Sequence, residues 1–317
     1  MSKYAHPDDI KNISIIGGGV IGASWSSFFS LQGMEVKVCE TNADKRSTFF
    51  RRISKTKKLI ENSNLRISRK SGQISIYNTI EDTVLDTHFV QESAPDNKEI
   101  KLSVFKELDK KVPPHVPIAS STSSLLITPL QKHCKTASRF FTGHPYNPVN
   151  IIPLVEISGG DQTDEKILEW AMSFYTSLGK YPVKLNKEII GHIAGRLNAA
   201  LWQEAVHLVS EGIADVETID AAIINGPGLR SAVMGPHLTY HLAGGEGGIR
   251  HYISHLGKSQ EQRWQLLGKP KLDSSTCKKL IDGIEEESKD KTIDDLETER
   301  DLALIKILKS RQIKTKK

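Results

Sequence analysis

Residues 12–40 read NISIIGGGVIGASWSSFFSLQGMEVKVCE, and this stretch decides the fold. An isoleucine-rich strand runs into Gly17, Gly18 and Gly19. Val20 and Ile21 open a helix that reaches about Gln32, Gly22 lies in its first turn, and Gly33 stops it. A second strand, Val36 to Cys39, ends at Glu40. Each part has a physical task. Gly17 allows a tight turn, Gly19 keeps no side chain between the backbone and a pyrophosphate, and Gly22 lets helix and strand pack closely. The helix N-terminus offers unpaired N–H groups and positive dipole to phosphates. A carboxylate about twenty residues on accepts from ribose hydroxyls. The order strand, glycines, helix, strand, acid therefore predicts a dinucleotide site made by Gly17, Gly18, Gly19, Val20, Ile21, Gly22 and Glu40. A carboxylate repels a 2′-phosphate, which favours NAD over NADP. Lys45 and Arg46, just beyond, are the counter-signal.

The chain of 317 residues is long enough for two domains. Its 38% hydrophobic and 26% charged residues predict a soluble globular protein. A net charge of +5, from 43 basic and 38 acidic residues, is too mild to argue for a nucleic-acid partner. Cys39, Cys134 and Cys277 are scattered, which suggests a reducing compartment and neither a disulfide frame nor a zinc site. MSKYAHPDDI, at the start, has no apolar signal-like core, and no apolar run suits a membrane span. A cytoplasmic location is the expectation. Basic residues gather between Arg51 and Gly72 and in the tail KILKSRQIKTKK. A solvated helix face and a frayed end are the plainer readings, and a phosphate-rich ligand such as an acyl-CoA is the sharper reading of the first.

Strands and helices alternate to about Lys187, predicting an α/β, Rossmann-type doubly wound sheet over residues 1–187. From Glu188 the periodicity is helical. Ile189, Ile193, Leu197, Leu201, Val206 and Val209 mark one long helix ended by Gly212, and Asp215 is a candidate N-cap. Residues 188–317 are thus expected to form an all-helical second domain.

Three polar segments fall at strand exits, where open α/β sheets bind ligands. They are Ser120 to Ser124, the loop His144-Pro145-Tyr146-Asn147-Pro148, and Glu156 within PLVEIS. A carboxylate in an apolar strand is costly unless paired, and a histidine is the obvious partner. Glu156 would hold the ring of His144, and His144 would remove a hydroxyl proton as hydride leaves for NAD. Ser123 would donate to the same substrate oxygen. On spacing alone such a pair serves a core as well as a catalytic site. The adjacent fingerprint favours catalysis. No histidine–carboxylate cluster has metal-ligand spacing, so no metal is expected.

At these residues the chain resembles the 3-hydroxyacyl-CoA dehydrogenase superfamily. The matching segments are GGGVIG, VQESAP, SSTSSL, GHPYNPV, PLVEIS and KEIIGHIAGRLNAAL, in order and over nearly the whole chain. The resemblance implies an NAD-binding domain followed by a helical dimerisation domain, hence a homodimer. It places the catalytic histidine, its glutamate and the active-site serine on His144, Glu156 and Ser123. Asn147 matches an active-site asparagine, and Glu92 an acid near the nicotinamide. The second half, in NAALWQEAVHLVSEGIA, GPGLRSAVMGP and HLAGGEGGIRHYISHLG, is most similar to the branch that oxidises L-carnitine to 3-dehydrocarnitine. An L-gulonate 3-dehydrogenase or another 3-hydroxy acid or 3-hydroxyacyl-CoA dehydrogenase is the alternative within the superfamily. A non-catalytic, crystallin-like NAD-binding protein is the alternative outside catalysis.

Two residues depart from that pattern. Gly195 stands where acyl-CoA enzymes carry asparagine and carnitine enzymes aspartate, and His192 where phenylalanine is usual. A trimethylammonium group is recognised by aromatic faces and carboxylates. Trp202, Tyr240, Tyr252 and Tyr146 are the candidates, with ordinary packing as their plainer role. Arg196 or Arg230 could pair with a substrate carboxylate.

Overall fold

The computed structural model describes residues 4–62 and 70–311, without the side chains of 61 and 62. The middle of the first basic cluster and the last residues of the basic tail lie outside the described residues. Two compact units divide between Gly195 and Arg196.

The first unit is built on an eight-stranded sheet. In chain order its elements are β1 (Asn12–Ile16), α1 (Val20–Leu31), β2 (Glu35–Cys39), α2 (Lys45–Asn62), β3 (Ile74–Tyr77) and the single turn α3 (Ile80–Thr83). There follow β4 (Phe89–Glu92), α4 (Lys98–Lys111), β5 (Ile118–Ser120), α5 (Ile127–Gln131), β6 (Phe140–Pro145), β7 (Leu154–Gly159), α6 (Glu165–Ser177) and β8 (Tyr181–Lys184). The spatial order is β3-β2-β1-β4-β5-β6-β7-β8. Strand order reverses beside β1, so the loops after β1 and β4 part there and leave a crevice at their carboxyl ends.

Both faces of the sheet are covered, which is why its strands read as apolar runs. One face carries an aromatic cluster in which Trp25 and Phe29 of α1 stack at 5.1 Å and Trp170 and Phe174 of α6 at 4.9 Å, with Phe89 of β4 4.8 Å from Phe174. The other face packs Phe105 of α4 on Phe140 of β6 at 4.9 Å, among Val90, Leu108 and Ile118.

Every neighbouring strand pair is parallel except β6 and β7, which run antiparallel with His144 directly opposite Glu156. Only the short stretch 146–153 joins these strands. A parallel crossover needs about a dozen residues or more, so the chain must turn back on itself. Residues directly opposite across such a pair carry side chains on one face, roughly 5 Å apart at Cβ. The sheet itself thus brings the histidine and the carboxylate together.

The second unit comprises α7 (Ala194–Ser210, beginning at the division), α8 (Val216–Asn225), α9 (Pro227–Ser231), α10 (Pro236–Ala243), α11 (Gly248–Leu266), α12 (Ser274–Glu287) and α13 (Ile293–Ser310). Asp215 caps α8 by accepting from Thr218 N at 2.8 Å, Asp273 does the same for α12, and Thr292 with Asp295 forms a capping box on α13. Among the described residues no helix is long and apolar enough to cross a membrane.

The long helix expected from Ile189 begins only at Ala194. Apolar spacing runs through 189–193, but Gly191 (φ 80°) and His192 (φ 49°) are left-handed, which no right-handed helix admits. This segment is held within the first unit. Glu188 accepts from Ile127 N and Thr128 N, and Gly191 N donates to Ser123 O at 3.0 Å.

Candidate active site

The glycine turn behaves as its composition requires. Gly17 has φ 106°, and a Cβ there would lie 2.5 Å from the Ser93 carbonyl. A Cβ on Gly22 would lie 1.8 Å from the Gly17 carbonyl, so α1 could not approach β1 with any larger residue. A Cβ on Gly19 would meet no protein atom, and the space beside it is open. Val20 is exposed at the helix start. Glu40 accepts from Gly18 N at 3.1 Å and Asn42 N at 2.9 Å, fixing its carboxylate at the end of β2. A cavity of about 600 Å³ is bounded by Gly17, Gly18, Gly19, Glu40, Asn42 and Lys45, among others. The open face at Gly19, the helix N-terminus and the carboxylate fit the pyrophosphate and adenosine ribose of NAD. Arg46, one of the two cations near Glu40, is engaged with the Glu40 carbonyl and Asn78.

A second cavity of about 320 Å³ is lined by Ile21, Ser121, Ser123, His144, Pro145, Tyr146 and Asn147. Four expected site residues, Ile21, Ser123, His144 and Asn147, thus share one wall system. His144 Nδ1 lies 3.0 Å from Glu156 Oε2, with the Glu156 side chain 1% exposed. Glu156 Oε1 accepts from Ile193 N at 2.8 Å and Ala194 N at 2.9 Å. Burial alone would raise this carboxyl, but the bonds from His144, Ala194 and Ile193 outweigh it and hold Glu156 below the ordinary carboxylate range. An ionised Glu156 accepts a proton-bearing Nδ1, which leaves the Nε2 lone pair free.

Ser123 is placed by a residue that sequence reasoning missed. Asp96 accepts from Ser123 N at 3.0 Å and Oγ at 2.9 Å, from Ser124 N at 2.9 Å and Oγ at 2.8 Å, and from Thr122 Oγ1. The Ser123 hydroxyl is thus held by Asp96 beside the cavity, and rotation about its C–O bond turns the same proton toward that cavity. Burial would raise the Asp96 carboxyl, but the bonds from Thr122, Ser124 and Ser123 and the charge of Lys101 hold it down at about 2. A depressed carboxylate contributes stability above its unfolded value, and that contribution is lost as pH falls through the folded value. Against an ordinary 3.8, about 2 kcal/mol should disappear between roughly pH 4 and pH 2. Urea melts across that range should show an acid limb in Asp96→Asn that is smaller than in the parent chain by about that amount, since Glu156 keeps its own share.

Glu92, which the resemblance matches to an acid near the nicotinamide, ends β4 in a buried ion pair. Its carboxylate is fully buried and holds Lys101 Nζ at 2.7 and 2.9 Å, Ala94 N at 2.7 Å and the Ser120 hydroxyl. Both oxygens are engaged inside the protein. Lys180 is a second unforeseen residue. Its buried ammonium donates to the Val149 and Ile152 carbonyls of the loop after Asn147 and lies 4.1 Å over the Phe28 ring. Among the described residues no group of three or more His, Cys, Asp or Glu could hold a metal.

The remaining candidates lie in the second unit. Arg196 and Trp202 are exposed on α7, Arg230 on α9 and Tyr240 on α10, with the Tyr240 ring 5.1 Å from that of Tyr252. A Cβ on Gly195 would meet nothing within 4 Å. Gly195→Ala should accordingly stabilise the chain, by up to about 1 kcal/mol, as read from a rise in thermal midpoint. A fall would show a constraint at that residue which its surroundings do not reveal.

A glycine-turned dinucleotide crevice joined to a histidine–carboxylate pair at a strand exit defines an NAD-dependent oxidoreductase. The chain belongs to the 3-hydroxyacyl-CoA dehydrogenase family. The NAD-binding domain of that family matches residues 12–189 and its C-terminal domain residues 191–281. Proteins named L-carnitine dehydrogenase are similar along almost the whole length. That of Streptomyces coelicolor is 38% identical over 304 residues, covering 96% of both chains. That of Streptomyces griseus is 39% identical and covers 96% of this chain and 91% of its own. The crystal structure of FHMPC 5-dehydrogenase, an NAD+-dependent dismutase, shares the fold with a TM-score of 0.80 at 24% identity, covering 95% and 98% of the two chains. Mycobacterium tuberculosis FadB2 matches with a TM-score of 0.66 at 26% identity, covering 88% and 95%.

Proposed function

We propose that this enzyme oxidises the 3-hydroxyl of L-carnitine to the ketone of 3-dehydrocarnitine, with His144 as general base oriented by Glu156. The observation that carries the chemistry is the 3.0 Å pair of His144 and Glu156 beside the cavity that also holds Ser123 and Asn147. The substrate rests on the name shared by relatives 35–39% identical over about 95% of the chain. NAD, when bound, supplies the acceptor for the hydride leaving carbon 3. His144 Nε2 takes the hydroxyl proton as the C=O bond forms. Glu156 stabilises the imidazolium that results. Ser123 turns its hydroxyl to donate to the substrate oxygen, whose own single proton goes to His144, and Asn147 is a further contact for the substrate. Trp202 and Tyr240 are assigned to the trimethylammonium group and Arg196 or Arg230 to the carboxylate.

The deciding experiment follows NADH formation with L-carnitine, D-carnitine, L-gulonate and 3-hydroxybutyrate in parallel. Turnover confined to L-carnitine supports the reading, and oxidation of another acid replaces it. A second reading, a different 3-hydroxy acid or an NAD-binding protein without turnover, is favoured by one observation: Gly195 has no side chain to orient a substrate oxygen. Binding of NAD with no turnover of any of the four acids would favour its non-catalytic form.

We also propose a homodimer made through the helical unit. Leu197, Leu201, Ile224, Leu229, Val233 and Trp264 are all at least 47% exposed there, apolar side chains that a symmetric partner would cover. Light scattering should give twice the chain mass at micromolar concentration, and a monomer would overturn this.

A further inference from the structure

Four consecutive residues, Gly191 to Ala194, reach both halves of the candidate active site. Gly191 N donates to the Ser123 carbonyl at 3.0 Å. The His192 ring lies 2.9 Å, through Nε2, from the Thr122 carbonyl. Ile193 N and Ala194 N both donate to Glu156 Oε1. The segment therefore clasps the serine loop at one end and the carboxylate of the pair at the other. His192 is its only side chain among these four bonds. It is 2% exposed, and its ring centroid lies 4.5 Å from that of His144, inclined by 33°. Its backbone is left-handed at φ 49°, a conformation in which histidine is enriched among non-glycine residues but which still needs outside support.

The protonation state follows from the partners. A carbonyl only accepts, so Nε2 carries the hydrogen. Nδ1 is buried and has no hydrogen-bond partner among the described residues, so a second proton there would have no acceptor. The ionisable groups around the ring are His144 on β6, Glu156 on β7 and Asp96 before α4. Burial, the largest influence, lowers the His192 pKa from the ordinary imidazole value and favours the neutral ring. A neutral ring against the face of His144 adds no opposing charge when that imidazole takes up a proton.

We propose that His192 is a positioning residue for the reaction: its ring bond to the Thr122 carbonyl locks the 191–194 clasp and so sets Ser123 and the His144–Glu156 pair in mutual register. This role rests on His144 being the base. It predicts an effect on turnover that ordinary core packing would not produce.

The test compares His192→Phe, which keeps a stacked ring and loses the bond, with His192→Gln, whose side-chain amide can still reach the carbonyl. His192→Phe should lower kcat about tenfold, the scale of a slight misplacement of catalytic groups, with KM for NAD unchanged. His192→Gln should restore most of that loss. In NMR spectra of the unliganded protein the Nδ1–H signal of His144 should be visible in the parent and in His192→Gln, and broadened in His192→Phe. The parent spectrum should also show His192 as the neutral Nε2–H tautomer, a measurement that needs no variant to fold. Unchanged kcat in His192→Phe, beside a silenced His144→Gln, overturns the inference alone. A charged or Nδ1–H His192 in the parent does so as well. Full activity in His144→Gln overturns the base assignment and this role with it.

Discussion

His144→Gln and Glu156→Gln should each lower kcat by between about 10²- and 10⁴-fold, the range supplied by a positioned general base, while NAD affinity stays within a few-fold of the parent. For His144 the reason is direct, because an amide cannot take the hydroxyl proton. For Glu156 it lies in the backbone. Oε1 of Glu156 accepts from Ile193 N and Ala194 N, so the oxygen of a glutamine would be held there. Its NH2 would then face His144 Nδ1 and donate to it. The imidazole would be forced to carry its hydrogen on Nε2, and the lone pair that receives the substrate proton would be gone. A change of one atom thus inverts the tautomer without emptying any volume. Both variants leave the Gly17–Glu40 crevice untouched, so the cofactor should still bind. Steady-state rates with L-carnitine and a fluorescence titration with NADH separate the two effects. If Glu156→Gln kept parent activity, the hydrogen-bond argument for base orientation would be wrong.

What the sequence disclosed and what it concealed divide along one physical line. Glycine requirements are local, and they were legible. Gly17 needs a positive φ and Gly22 needs the absence of a Cβ, and both follow from the motif alone. The histidine–glutamate pair was legible because a carboxylate in PLVEIS has no cheap place in an apolar strand. The antiparallel turn-back that sets them opposite each other was not read, although the connection is too short for a crossover. The start of α7 was misread for the opposite reason. Ile189 and Ile193 keep helical spacing, but the conformation is decided at Gly191 and His192 by partners distant in sequence, the Ser123 and Thr122 carbonyls and the Glu156 carboxylate. Asp96 was hidden for a similar reason. Its neighbours in the chain mark it as a loop acid before a helix, and only the adjacency of β4 and β5 sets it against the serine-rich loop. The partner of Glu92 was hidden as well. The position of this acid at the end of β4 matches, yet Lys101, one helical turn into α4, takes both its oxygens.

That last pair should carry the largest single effect on stability. Lys101→Met is expected to lower the unfolding free energy by about 3–5 kcal/mol, the typical result of removing one partner from a buried ion pair. The Lys101 and Glu92 side chains are 1% and 0% exposed. Methionine would match the lysine stem in volume, but it would leave the carboxylate with only the Ala94 N–H and the Ser120 hydroxyl for donors. An ionised group so placed cannot reach water, and its lost partner is not replaced. Adding Glu92→Gln should recover most of the deficit, since the amide oxygen can keep the Ala94 N–H while its NH2 donates to the Ser120 oxygen, with no buried charge. Urea unfolding of the parent, Lys101→Met and the double variant measures the coupling directly. The consequence extends to the active site. Lys101 also donates to the Ala94 carbonyl at 3.1 Å and lies 3.9 Å from Asp96, the residue that fixes Ser123. The single variant, assayed where it remains folded, should therefore also lose kcat, and the double variant should recover stability more fully than turnover because Asp96 still lacks its cation. Equal recovery of both would mean that the Lys101 charge does not reach the serine loop.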